Sequence, residues 1–183
     1  MTELRDAAAY MRPNLFVNTP DILHAYLQYG GPAAFKVRAV LAAMLSPTWG
    51  VYSGYELFEH VAVRPGSEEY LDSEKYQLRA WDLARADSLA EFIGRVNAAR
   101  RDNPALQSDL GLVFFPIDND EMICYAKVDA AGENAALVVV NLDPHHTQSG
   151  WVTLDLDALG VDAARPFQVH DALTGARFLW SGA

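Results

Sequence analysis

A chain of 183 residues has room for one sizeable domain or two small ones, and 51% hydrophobic with 21% charged residues marks a folded protein. A net charge of −10 opposes phosphate backbones and anionic lipid, so neither nucleic acid nor membrane is an expected partner; no apolar run approaches the roughly 18 residues of a membrane span. The first ten residues hold no apolar block of signal-peptide length, and the single cysteine, Cys124, excludes an internal disulfide, excludes a Cys-cluster metal site and suits a cytoplasmic location.

Residues 3–11 read as a helix broken by Arg12-Pro13-Asn14. "LFVN" is then a short apolar run, as in a strand covered on both faces. Thr19 is placed to cap a helix, with Pro20 at its first position and Asp21 in its first turn; Gly30-Gly31 ends it after Tyr29. "PAAFKVRAVLAAMLS" is the strongest helix, mostly apolar and stopped by Ser46-Pro47. "TWGVYSG" reads as a second covered strand ended by Gly54, and a polar loop occupies about residues 60–80. "SLAEFIGRVNAARRDNPAL" makes an amphipathic helix with Leu89, Phe92, Ile93 and Val96 in one stripe and Asn103-Pro104 at its end. Arg100 and Arg101 stand ready to meet the negative end of its dipole.

After residue 106 the period changes. "LGLVFFPID", "MICYAKVD", "AALVVVNLD", "GWVTLDL", "FQVHDAL" and "ARFLW" are short β-type runs separated by turn clusters. Helix and strand alternation followed by hairpins implies an α/β part, residues 1–105, and an all-β part, residues 106–183. Two strands are too few to cover the apolar "FKVRAVLAAML" helix and close a sheet, so the first part is expected to be incomplete.

By pattern alone Asp21 is a first-turn acid stabilised by a helix dipole, at the end of a buried strand where barrel enzymes place their chemistry. Tyr70 and Tyr76 are aromatics in an otherwise hydrophilic loop, which implies that the loop packs onto something; Glu68, Glu69, Asp72 and Glu74 are expected to fix it. Glu56, Trp49 and Tyr52 read as structural. His145-His146 sit in a hairpin loop and project in different directions, unlike metal ligands. Asp118, Asp120 and Glu121 lack the alternation and glycine of a calcium loop and read as turn chemistry, and Cys124 reads as a buried thiol. No metal site is expected.

"FVNTPD", "LAAMLSPTWGVYSGYEL" and "VNAARRDNPAL" resemble the closing segments of the alpha-amylase superfamily barrel, glycoside hydrolase family 13, and the strands after them resemble its C-terminal β-sandwich. "NTPDIL" with "GSEEYLDSEKYQLR" is similar, more narrowly, to the maltosyltransferases that extend α-glucan from maltose 1-phosphate. The resemblance covers roughly residues 5–180. It implies the C-terminal portion of a (β/α)8 TIM barrel followed by an antiparallel β-sandwich, with "FLWSGA" stopping where more sandwich strand is expected. It also implies transfer of maltosyl units from alpha-maltose 1-phosphate to the non-reducing end of an alpha-1,4-glucan, without a cofactor, in a homodimeric full-length enzyme.

In that family Asp21 corresponds to the third carboxylate, which stabilises the transition state, while Lys75 and Tyr76 correspond to a loop that binds the donor's phosphate. The superfamily's usual "NHD" is Thr19-Pro20-Asp21 here, so a sugar-contacting His is missing, as in the maltosyltransferase subgroup. The nucleophilic Asp and general-acid Glu belong to strands that precede residue 1, so the chain alone is expected to be inactive. A superfamily hydrolase or trehalose-forming isomerase needs no phosphate grip, and "SEKY" argues against it. A carbohydrate- or partner-binding fragment without catalysis is the remaining alternative.

Overall fold

The computed structural model describes residues 2–182, which form a mixed α/β structure with antiparallel sheets. Helix α1 (Thr2–Ala7) is shorter than the pattern predicts, because the chain turns at Ala8–Tyr10 and Arg12 donates to the Ala8 carbonyl. Strand β1 (Asn14–Phe16) pairs in parallel with β2 (Thr48–Gly50), with Leu15 opposite Trp49. Between them run α2 (Ala25–Tyr29) and α3 (Gly31–Leu45). A parallel pair needs a crossover of this kind. Helix α4 (Ala90–Asp102) ends at Asn103, as Asn103-Pro104 predicts, and a 3-10 turn over Pro104–Gln107 follows.

Strands β3 (Leu112–Phe115), β4 (Met122–Val128) and β5 (Ala135–Asn141) make an antiparallel sheet with β4 in the centre. β6 (Phe167–His170) and β7 (Arg177–Trp180) form a hairpin. "GWVTLDL" does not become a strand. Its only ladder contact is a bridge between Val152 and Ile117, because the Trp151 N–H goes to the Asp118 carboxylate at 2.6 Å instead of to a neighbouring backbone.

The period of two in β4 distributes its side chains between two cores. Cys124 and Ala126 join Phe115 and Leu159 on one face. Tyr125 lies on the other with Val138, Val140, Leu112 and the buried faces of α3 and α4, including Ala43, Met44, Val96 and Ala99. One core cluster therefore draws on residues from both sides of position 105. A third cluster, with Val17, Leu23, Leu27, Phe35, Tyr55 and Leu89, lies under the ends of β1 and β2.

Arg100 corrects the dipole expectation. Its guanidinium is buried and donates to the carbonyls of Ala43, Ser46 (2.8 Å) and Pro47 (2.5 Å), so it caps the C-terminus of α3 rather than its own helix. A stripe that buries Val96 and Ala99 turns Arg100 toward the same neighbour, where orphan carbonyls need donors. Arg101 stays outside and approaches Asp102 at 3.4 Å.

Candidate active site

The site is assembled from three connections beyond the ends of β1 and β2. Val17 continues the parallel pairing by donating to the Gly50 carbonyl (3.1 Å), and its own carbonyl accepts from the Arg38 guanidinium of α3 (2.9 Å). Asn18 is next and is buried. Its side-chain oxygen accepts from the Tyr52 N–H (3.0 Å) after β2, and its amide nitrogen donates to the Tyr70 hydroxyl (2.6 Å) of the long loop. Burial pushes the Tyr70 phenol up to about 12, against the Asn18 hydrogen bond.

Thr19 does not cap a helix. Thr19 and Ile22 exchange backbone hydrogen bonds (3.3 and 3.2 Å) and close a turn that carries Pro20 and Asp21. Leu23 then donates to the Glu68 carbonyl (2.6 Å), which draws the chain into an extended path, and α2 starts at Ala25 with His24 as its cap. Asp21 is thus an exposed turn residue, not a first-turn acid. Gln28 from α2 fastens the loop by donating to the carbonyls of Leu23 and Ser67, both at 2.8 Å.

Within the loop, Ala62 and Tyr70 form a bridge, flanked by Val63 donating to Glu69 (2.8 Å) and Leu71 to Val61 (2.9 Å). A turn follows in which the N–H groups of Tyr76 and Gln77 point at the Ser73 carbonyl. This turn carries Lys75 back toward Asp21. The Lys75 Nζ donates to Asp21 Oδ1 at 2.6 Å and to Glu69 Oε1 at 3.0 Å, and lies 5.3 Å from the centre of the Tyr76 ring. The Asp21 hydrogen bond first, and then that of Glu69, hold the ammonium well above the usual lysine range. Arg79 secures the turn from behind: it pairs with Glu59 (3.0 Å), donates to the carbonyls of Leu71 and Asp72, and stacks on Trp81.

Three residues singled out in the sequence, Asp21, Lys75 and Tyr76, therefore meet although 54 positions separate Asp21 from Lys75. Tyr70 packs into the core whereas Tyr76 stays exposed, so the two loop aromatics divide their roles. Glu69, Asp72 and Glu74 bond within the loop, to Lys75, Gln77 and Trp81. Sequence pattern does not single out Asn18, Glu69 as a second acid on Lys75, or Arg79 as site residues. A polar Asn closing the apolar run "LFVN" was the available signal, since a buried amide must find partners.

The remaining candidates lie elsewhere. His146 approaches Asp143 at 2.8 Å in an exposed loop, and among the described residues no group of three or more His, Cys, Asp or Glu side chains could hold a metal. Burial pushes the Cys124 thiol up to about 11, which leaves it unreactive. Glu56 acts through its backbone, accepting from the Leu89 N–H (2.7 Å), and Trp49 and Tyr52 pack against the core.

The family described as "GLGE, C-terminal" matches residues 114–183. Across nearly the whole chain, similarity extends to curated proteins named alpha-1,4-glucan:maltose-1-phosphate maltosyltransferase. The protein of Corynebacterium glutamicum is 59% identical over 98% of this chain and 27% of its own length. A protein of Streptomyces coelicolor, numbered 1 in its name, is 56% identical over 100% of this chain and 28% of its own. That of Mycolicibacterium smegmatis is 50% identical over 97% and 26%. Over 97–100% of its length the chain is thus similar to proteins that carry this name. It spans about a quarter of the length of the curated relatives it matches. No helix among the described residues is long and apolar enough to cross a membrane.

Proposed function

We propose that this chain supplies one side of the active site of a retaining maltosyltransferase that moves maltosyl units from alpha-maltose 1-phosphate to the non-reducing end of an alpha-1,4-glucan. The bond from the anomeric carbon to the phosphate oxygen breaks, a bond to an acceptor hydroxyl oxygen forms, and phosphate leaves. The observation that carries the reading is the Asp21–Lys75–Glu69 cluster beyond the ends of two parallel strands, in a chain whose relatives bear that name. Residues 1–105 then form the closing part of a (β/α)8 barrel, supported by the β1–α2–α3–β2 crossover, with the site at the strands' C-terminal ends. Residues 106–183 form its β-sandwich. The full-length enzyme is a cytoplasmic homodimer, and its nucleophile and general acid come from outside these residues.

Retaining transfer passes through an oxocarbenium-like transition state. A carboxylate on the turn after β1 favours that positive charge, and this is the role assigned to Asp21. Lys75 and Tyr76 contact the donor, with phosphate as the group implied by the family. A second reading of Lys75 comes from its contacts: two of its three N–H donors already serve carboxylates, and Asp21, Glu69 and Lys75 together carry a net negative charge. A single remaining donor between two acids suits a sugar hydroxyl better than a phosphate dianion.

The test is phosphate release from maltose 1-phosphate by the complete polypeptide containing this chain. Asp21→Asn should lower kcat on the order of 10²–10³-fold. An unchanged kcat would remove Asp21 from the chemistry. Lys75→Ala should lower kcat/KM for maltose 1-phosphate about ten- to a hundredfold, as loss of one charge-assisted hydrogen bond does. Weaker inhibition by inorganic phosphate in that variant favours the phosphate role; unaltered phosphate inhibition favours the hydroxyl role.

A further inference from the structure

The loop that carries Lys75 is mounted on the turn after β2 through one side chain, Arg79. Its guanidinium pairs with Glu59 at 3.0 Å and donates to the carbonyls of Leu71 (3.3 Å) and Asp72 (3.1 Å). The same group lies 4.6 Å from the centre of the Trp81 ring, whose Nε1 donates to Glu74 at 2.9 Å. Arg79 thus joins Glu59, the Leu71–Asp72 backbone and Trp81 at one point. A planar guanidinium can fork to several acceptors and stack at the same time, whereas an ammonium cannot.

The end of this brace nearest β2 is fixed. Glu59 follows the 3-10 turn over Tyr55–Leu57, and its N–H donates to the Gly54 carbonyl at 3.0 Å. A side chain at position 54 would meet the Trp81 ring at 2.6 Å and Glu59 Cγ at 2.8 Å, and φ there is +90°, so glycine admits the close packing. The space lined by Tyr52, Glu59, Tyr70, Asp72, Arg79 and Trp81 has a volume of only about 10 Å³, no more than a single water fills.

The other end is Asp72. Its φ of +52° lies in the left-handed region, which a residue with a side chain keeps only where its surroundings impose it. Arg79 takes its carbonyl, and Gln77 donates to its carboxylate at 2.9 Å. Ser73, the next residue, is buried: its carbonyl accepts from the N–H groups of Tyr76 (2.9 Å) and Gln77 (3.0 Å), and its hydroxyl from that of Lys75 (3.3 Å). The backbone at Asp72 therefore sets the direction of the turn that presents Lys75.

We propose that Arg79 is a positioning residue for Lys75: by holding Asp72 in its left-handed conformation, it aims the Ser73–Gln77 turn so that the Lys75 ammonium reaches the substrate. The role of Lys75 as a donor contact rests on the proposed function; Arg79 acts through Lys75 and not on the substrate itself.

The experiment is phosphate release from maltose 1-phosphate by the complete polypeptide, with Arg79→Ala, Arg79→Lys, Asp72→Val and Lys75→Ala, and with the first three each combined with Lys75→Ala. Arg79→Ala should raise KM for maltose 1-phosphate about tenfold and change kcat by less than about threefold, as loss of a binding contact does. Asp72→Val, whose branched side chain opposes left-handed backbone, should raise KM similarly. Arg79→Lys keeps the charge beside Glu59 and should recover part of the loss. In the Lys75→Ala background, none of the three should raise KM further, because an absent side chain cannot be misplaced. An equal rise in both backgrounds overturns the proposal, since Arg79 would then act independently of Lys75. A fall in kcat at unchanged KM also overturns it, as the mark of lost folded enzyme alone, and so does a Lys75→Ala enzyme as good as its parent. Should Arg79→Ala not fold, Arg79→Lys and Asp72→Val carry the same comparison. A parent polypeptide that releases no phosphate sinks the proposed function and this role with it, whereas release with independent effects at Arg79 and Lys75 sinks this role alone.

Discussion

Lys127 occupies the central strand β4 with no exposed surface, and its ammonium has one long hydrogen bond, to the Leu45 carbonyl at the end of α3 (3.4 Å). Burial is the main cause that brings its pKa from the ordinary 10.5 down to about 8; Asp109 opposes the fall and Arg100 adds to it. Between those two values the unfolded chain holds a proton that the folded one has released, so stability rises with pH across this window. The corresponding cost of keeping the charged form buried is about 3 kcal/mol, present below pH 8 and gone above 10.5. Lys127→Met removes the charge and keeps the volume. Allowing about 1 kcal/mol for the hydrogen bond lost to Leu45, the variant should be about 2 kcal/mol more stable at neutral pH. That advantage should shrink and then reverse as the pH passes from 8 to 10.5. Urea unfolding of both proteins, followed by tryptophan fluorescence across that range, measures the difference directly and cancels the titration of other groups. A difference that does not change with pH would refute the reasoning, because it would mean that Lys127 reaches water or a full counter-charge in the folded state.

Arg100→Ala leaves the carbonyls of Ala43, Ser46 and Pro47 without their donor in a buried position and should cost about 3–5 kcal/mol, read by the same denaturation. Arg100→Lys should restore only part of this, since one ammonium cannot span three carbonyls as a planar guanidinium does. Asn18→Ala unpairs the Tyr52 N–H and the Tyr70 hydroxyl at once, for about 2–4 kcal/mol, and amide exchange at Tyr52 should quicken by more than that at the neighbouring β2 residues.

How much of this could be read from the sequence depended on whether the partners were local. The strand at Leu15, the helix from Pro32 to Leu45, the stop at Asn103 and five of the six β-type runs follow from period, caps and breakers in one stretch of chain. Thr19-Pro20-Asp21 has every local sign of a helix start. It becomes a turn because Leu23 is claimed by the carbonyl of Glu68, which is remote in sequence. "GWVTLDL" alternates as a strand should, yet a side chain, Asp118, takes the N–H that a ladder would use. Arg100 looks like a cap for its own helix and serves another, for the same reason. The candidate site shows the division within a few residues. Asp21 and Lys75 could be singled out by resemblance, but Asn18 and Arg79 act through contacts with segments far along the chain, which no period or spacing reveals.

Those contacts also grade the rigidity of the site. At its base the long loop is tied by buried or backbone bonds: Asn18 to Tyr70, Leu23 to Glu68, and Gln28 to Ser67. At its tip, Lys75 is held by Asp21 and Glu69, whose side chains are 72% and 43% exposed. Exposed pairs of this kind contribute little, because water competes for both partners. The base therefore fixes where Lys75 can reach, while the contacts it makes there can be exchanged at small cost. A ligand that offered Lys75 an oxygen in place of one carboxylate would free Asp21 from this pair. On the proposed function, the ion pair joining Asp21 to Lys75 is a contact that the substrate would exchange.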